Sequence, residues 1–430
     1  MTKLSDKRQS PFMRWMPSLR GSLTAAVVLV LAVISGVETV LAQTANPIKI
    51  GFSIPLTGGL ASNGKAILAT YQMWQDDINA KGGLLGRKVE LVYYDDQSNP
   101  TLVPGIYSKL LDIDKIDLVV ASYGTNMTLP VMPIVVAKGM VVMSLFSLAI
   151  NDEFKYPNYF SMFPVGQDGI HEISRGFFEI AKDQNLQTVA IVGADSDFAK
   201  KAADGARDNA HAMGLKVVYE RSYPPSTVDF SPILRSIQAT NPDVVYVASY
   251  PTDSVGIVRS AHENGLRTKL FGGTMVGLQY GALKTQLGSQ LNNIIVHDFY
   301  VPEPTLQFPG IESFLKRYQA KAVSGGMDQL GFFVPPFAYA NLQILGQAVQ
   351  ATGSLDHAKL GEFLRSQTFD TIVGNVKYAP NGEWARPRVL HVQFQGIAGN
   401  DLEQFKKAGT QTIIYPKNLA SGTLQFPYAQ

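Results

Sequence analysis

The chain reads as an α/β protein of two doubly wound, Rossmann-like lobes. Three observations predict this. Short runs rich in Val, Ile and Tyr alternate with longer amphipathic stretches, the pattern of parallel βαβ units. Gly or Asn follows each helical stretch before the next run, as at Gly82-Gly83, Gly139, Gly214 and Gly265, where it supplies a helix stop. A second series of such units then repeats the first in style.

Taken in order, strands are predicted over Ile48–Ile54, Lys88–Tyr94, Asp117–Ala121, Met140–Ser144, Thr188–Val192, Lys216–Tyr219, Val244–Ala248 and Ile294–Phe299. Helices are predicted near Lys65–Ala80, Pro100–Asp112, Thr128–Lys138, Asp168–Asp183, Phe198–Met213, Pro232–Ala239 and Asp253–Asn264. The chain is expected to change lobe near Pro164–Gly166. From Val301 the alternation weakens: helical stretches near Ile311–Lys321 and Gly331–Ala351 follow one another, then Leu360–Ser366, a strand-like Thr371–Val376 and a last strand-like Arg388–Gln395. A return of the chain to the first lobe and back would account for this, though spacing alone leaves it open.

The first 42 residues read as an export leader. Lys3, Lys7, Arg8, Arg14 and Arg20 precede an apolar run from Leu23 to Val37, and Val40-Leu41-Ala42 suits a signal peptidase. The run is shorter than the roughly 20 apolar residues of a spanning helix, and Glu38 closes it. With no cysteine in the chain there is no lipid attachment site and no disulfide framework. Lys7-Arg8 is not a twin-arginine pair, so the general secretion route is expected. The whole chain carries 37 basic and 35 acidic residues; five basic and two acidic lie in the leader, which leaves 32 and 33, a net charge of −1. No basic face for nucleic acid or anionic lipid is implied. The remaining 388 residues are enough for two cored domains in a soluble, periplasmic protein.

Enzyme-like signals are weak. Gly59 to Ala66 (GLASNGKA) misses the phosphate-binding loop pattern by one residue, because Ala66 stands where Ser or Thr would hold Mg²⁺. It reads instead as a Gly-rich strand-to-helix turn with amides free to face a ligand. Val120-Ala-Ser122-Tyr-Gly124 matches a nucleophile elbow only loosely. The six histidines, at 171, 211, 262, 297, 357 and 391, have no metal-ligand spacing, and Asp95-Asp96 and Asp195-Ser-Asp197 read as caps. No catalytic constellation, cofactor site or metal site is expected. The strand ends do carry hydroxyls, amides and aromatics: Thr125-Asn126, Ser144 and Ser147, Phe198 and Tyr250. Carboxyl-end loops are where open α/β sheets bind ligands, and helix N-termini beside hydroxyls suit a carboxylate.

The opening strand with PLTGGLASNG, the segment DINAKGGLLGRKVELVYYDDQSNP and the run NPDVVYVASYPTDSVGIVRSAHENGL resemble the periplasmic leucine/isoleucine/valine-binding proteins of ABC importers, with the type I periplasmic binding fold. The resemblance covers nearly all of the chain beyond the leader. It implies two lobes around a ligand cleft, joined by three crossovers, with lobe one at 46–163 plus 300–376 and lobe two at 164–299 plus 377–430. It implies that carboxylate-binding hydroxyls fall on the Thr125-Asn126 turn, Ser144 and Ser147, and an aromatic contact on Tyr250. Phe198-Ala199 stands where the family often has Tyr-Gly, and Asn63 where a residue covers the mouth of the cleft. The family's acidic partner for an α-ammonium aligns with Thr274, and a common basic residue with Phe163. Both departures argue against a standard α-amino acid, although Asp253 lies near enough to Tyr250 to supply a charge.

The resulting expectation is a monomeric, non-enzymatic receptor that captures a carboxylate- or amide-bearing solute by hinge closure and delivers it to a membrane permease. Two other readings remain at this point: a ligand sensor of the same fold, and an exported α/β hydrolase.

Overall fold

The computed structural model describes residues 46–428; the predicted leader and its Ala42 cleavage site lie outside the described residues. Two sheets organise the rest. Strands β1 (Ile48–Ile54), β2 (Val89–Asp95), β3 (Leu118–Tyr123), β4 (Val142–Leu145) and β5 (Tyr159–Ser161) form a parallel sheet in the order β2-β1-β3-β4-β5. Strands β6 (Thr188–Ala194), β7 (Lys216–Tyr223), β8 (Val244–Ser249), β9 (Leu270–Met275) and β10 (Ile295–Asp298) repeat that order as β7-β6-β8-β9-β10, again all parallel. Two antiparallel strands, β13 (Leu390–Phe394) and β14 (Gln411–Tyr415), extend the second sheet beyond β10. The inner strands β3 and β8 are buried at every residue, and β1 and β6 at all but one, because helices cover both faces.

The strand order reverses between β1 and β3 in one sheet and between β6 and β8 in the other. Crevices outside the carboxyl ends of strands at such a reversal are the ligand positions of open α/β sheets.

The chain passes between the sheets three times: from Ser161 to the helix Gly169–Asp183, from Asp298 to the helix Ile311–Gly325, and from Lys377 to β13. The helices Ile311–Gly325 and Pro335–Thr352 pack on the helix Ala61–Ala80 of the first sheet, which accounts for the weakened alternation after Val301. The first and third passages are bonded side by side, Ser161 N–H donating to the Gly382 carbonyl at 2.8 Å and Arg388 N–H to the Pro164 carbonyl at 2.7 Å.

Several elements differ from expectation for local reasons. The strand-like Thr371–Val376 is a hairpin, β11 (Thr368–Thr371) and β12 (Gly374–Lys377), turned at Ile372-Val373. The predicted helix Thr128–Lys138 is three pieces, Thr125–Thr128, a 3₁₀ turn Leu129–Val131 and Met132–Ala137, with prolines at 130 and 133 interrupting the ladder. β5, β9, β14 and the helix Gly281–Leu287 lie where no element was predicted.

Candidate functional site

The loops leaving β1, β3 and β4 face those leaving β6, β8 and β9, and three cavities lie between them. The innermost is an aromatic chamber. Tyr123, Thr125 and Phe146 line it from the first sheet, Phe163 from the first passage, Phe333 from the turn before Pro335–Thr352, and Phe198, Tyr250 and His297 from the second sheet. It encloses about 20 Å³, room for roughly one water. The rings meet each other there: Phe146 has its centroid 5.0 Å from Phe163, 5.3 Å from Phe299 and 5.1 Å from Phe333, and Phe198 lies 5.5 Å from Tyr250. A second cavity of about 230 Å³ runs past Asn126, Tyr250 and Asp253. The largest, about 500 Å³, opens at the mouth between Gly58, Gly59, Ser62 and Asn63 on one side and Pro251, Thr252, Arg259, Tyr280 and Gln286 on the other.

Local structure fixes these positions. The N-terminus of the helix Ala61–Ala80 is pressed onto the exit of β1 at Gly64, where a Cβ would lie 1.8 Å from the Pro55 carbonyl oxygen. That approach brings Asn63 into the mouth. Phe198 sits in the first turn of the helix Asp197–Ala212, and Tyr250 is the residue before the helix Pro251–Glu263.

Bonds cross the cleft directly. The Phe198 N–H, one of the free donors of a helix N-terminus, donates to Asn126 Oδ1 at 3.1 Å. Lys201 Nζ reaches Glu153 Oε1 at 2.9 Å and the Ala149 carbonyl at 3.0 Å. Asn63 Nδ2 donates to the Tyr280 hydroxyl, which also lies 3.4 Å from the Tyr123 hydroxyl. Burial pushes the Tyr123 phenol up to about 12, so it stays a neutral donor. Tyr280→Phe should therefore leave the buried Asn63 amide unpaired in the closed form, at a cost of about 1–3 kcal/mol. The free variant is expected to show a larger radius of gyration by X-ray scattering than the parent; equal radii would mean that this latch contributes nothing to closure.

Of the residues singled out from the sequence, Asn63, Thr125, Asn126, Phe198 and Tyr250 line these cavities. Ser144, Ser147 and Thr274 line none of the three, because their hydroxyls are spent inside the lobes. Ser144 donates to Tyr159 at 2.9 Å, Ser147 to Thr128 at 2.7 Å, and Thr274 pairs with the Tyr246 hydroxyl at 3.0 Å. Asp253 is likewise engaged: it accepts from the Tyr250 N–H at 2.9 Å, closing a capping box, and from the Tyr223 hydroxyl. Burial holds its carboxyl above the usual range. Tyr280, Phe146, His297 and Arg259 were not singled out as site residues. Tyr280 and His297 are single residues in segments whose helix or strand pattern says nothing about a cleft. Among the described residues no three His, Asp or Glu converge as metal ligands, and no helix is long and apolar enough to cross a membrane.

Known proteins match this architecture. The model of the periplasmic binding protein family matches residues 47–393. An amino acid binding protein of Pseudomonas aeruginosa is 26% identical over 335 residues, covering 78% of this chain and 86% of the relative. Among solved structures, a solute binding protein of an ABC transporter from Rhodopseudomonas palustris, in complex with 3,4-dihydroxybenzoic acid, superposes with a TM-score of 0.70 at 17% identity, covering 82% of this chain and 94% of that one. A leucine binding protein from Thermotoga maritima superposes with a TM-score of 0.71 at 19% identity, covering 86% and 99%. With two sheets of one topology, three passages between them and a family match over most of its length, the chain belongs to the periplasmic binding protein family.

Proposed function

We propose that the protein is the extracytoplasmic solute receptor of an ABC importer of the branched-chain-amino-acid type, and that its solute is a carboxylic acid with an apolar, aromatic body. Exported behind residues 1–42, it works as a monomer, closes on its solute and presents the closed form to a membrane permease; it carries out no catalysis. The lobes are taken as 46–163 with 300–376 and 164–299 with 377–430, which the three passages between the sheets support.

The observation that carries the ligand reading is the wall of the inner chamber: six aromatic rings, one threonine hydroxyl, one imidazole and no Asp or Glu. A buried α-ammonium left without a carboxylate costs several kcal/mol. A carboxylate is better served. Thr125 Oγ1 already accepts from the Leu148 N–H at 2.9 Å and keeps its own proton to donate, and the helix Asp197–Ala212 opens beside it. The solute ring takes the place of the ring-to-ring contacts that now fill the chamber, and the side chains re-pack around it between the closed lobes. Similarity to an amino acid binding protein on one side and to a receptor crystallised with an aromatic acid on the other is compatible with either class; the chamber wall favours the second.

Calorimetric titration of the mature protein with benzoate, 4-hydroxybenzoate and leucine tests this. An aromatic acid is expected to bind at least roughly tenfold more tightly than leucine. Submicromolar leucine binding with no response to either aromatic acid would overturn the ligand class.

A further inference from the structure

His297 is the third residue of β10 and is 1% exposed. Neither of its ring nitrogens has a hydrogen-bond partner. The Gly273 backbone, close enough to favour the protonated ring, does not reach hydrogen-bond geometry. The ring stands edge-on to Phe299 and Phe333, with centroids 5.5 and 6.0 Å away, and forms part of the chamber wall. Its cross-strand partner His391 packs instead against Gly176 and Tyr415 and lines none of the cavities described above.

Burial pushes the His297 imidazole down to about 4, so it is neutral at physiological pH. A neutral imidazole presents one N–H donor and one lone-pair acceptor. Both are unmet here, in a chamber walled mainly by aromatic rings, and an unmet buried polar atom is costly. Three kinds of ligand group could face it. An alkyl or plain aryl edge meets neither need. A carboxylate would take the N–H but set its negative charge against the lone pair, with no positive charge to offset its desolvation. A hydroxyl can both give and accept, and stays neutral in doing so.

We propose that His297 is a specificity-determining residue that selects aromatic acids bearing a ring hydroxyl, with the hydroxyl on the imidazole and the carboxylate held away from it, toward Thr125. This rests on the aromatic-acid reading above and narrows it. The competing occupant is one ordered water, for which the chamber has room; it would satisfy the imidazole without any preference in the solute.

The test compares benzoate with 3- and 4-hydroxybenzoate by calorimetry on the mature protein and on His297→Phe and His297→Asn. The parent is expected to bind one of the hydroxylated acids at least roughly tenfold more tightly than benzoate. In His297→Phe that preference should fall to within about twofold with benzoate affinity retained, and His297→Asn, which keeps a donor and an acceptor, should restore part of it. Equal affinity of the parent for all three acids would overturn the proposal and leave the aromatic-acid reading standing. So would a preference that survives in a folded His297→Phe. Failure of all three acids to bind the parent would overturn the aromatic-acid reading and this proposal with it. Should His297→Phe not fold, the parent's own preference and the Asn variant still decide.

Discussion

Phe146→Ala is expected to lower stability by about 3–5 kcal/mol and to weaken solute binding at least tenfold, the largest effect of any single side chain in the cleft. The ring touches five others: Tyr123, Phe163, Phe299, Phe333 and Phe337, with centroids between 5.0 and 6.4 Å away. Phe163 lies on the first passage between the sheets and Phe299 opens the second, so Phe146 ties the floor of the chamber to two of the three connections. Its backbone is also held at a φ of 55°, a region a non-glycine residue adopts only when its surroundings enforce it. Urea unfolding followed by fluorescence, with titration of the folded variant, measures both effects. A loss below about 1 kcal/mol would mean that the rings re-pack around the gap and that the cluster is not a single unit.

Gly272→Ala should be worse for folding and is expected to leave little soluble protein. β9 runs between β8 and β10, and at Gly272 the strand passes so near its neighbour that a Cβ would sit 1.7 Å from the Ile295 carbonyl oxygen. The φ of 154° adds strain for any side chain. With backbone of the adjacent strand in the way, which no side chain can swing aside to relieve, the loss should exceed about 4 kcal/mol. The matched control is Gly105→Ala, in the exposed first turn of the helix Val103–Asp112, where a Cβ meets nothing within 4 Å. There the change should stabilise by about 0.5–1 kcal/mol. Comparable soluble yields of the two variants would show that β9 can shift to admit a methyl group.

The same glycines explain what the sequence concealed. Strands β1, β6 and β8 announce themselves through Val, Ile and Tyr runs and were placed within a residue or two. β9 reads LFGGTM, and two glycines in the middle hide a central strand whose chemistry is close backbone approach rather than side-chain packing. β5 has three residues, too few for a period to register. At the site, position relative to a strand end was legible but side-chain direction was not. Thr125, Phe198 and Tyr250 fall on turns that project into the cleft. Ser144 and Thr274 lie within β4 and β9 themselves, and bond to Tyr159 and Tyr246 inside the lobes. His297 could have been found only by asking which buried polar groups lack partners, a question that needs the surroundings of every atom.

The bonds from Asn126 to Phe198, from Lys201 to Glu153 and from Asn63 to Tyr280 join the lobes with protein atoms alone. Each favours the closed arrangement whether or not a solute is present, so it sets how often the empty receptor visits that arrangement. An observed dissociation constant is the intrinsic one divided by that competent fraction. Affinity can then be raised or lowered by residues the solute never touches, and a receptor of this build can be retuned to a scarcer or more abundant nutrient while its selectivity stays fixed.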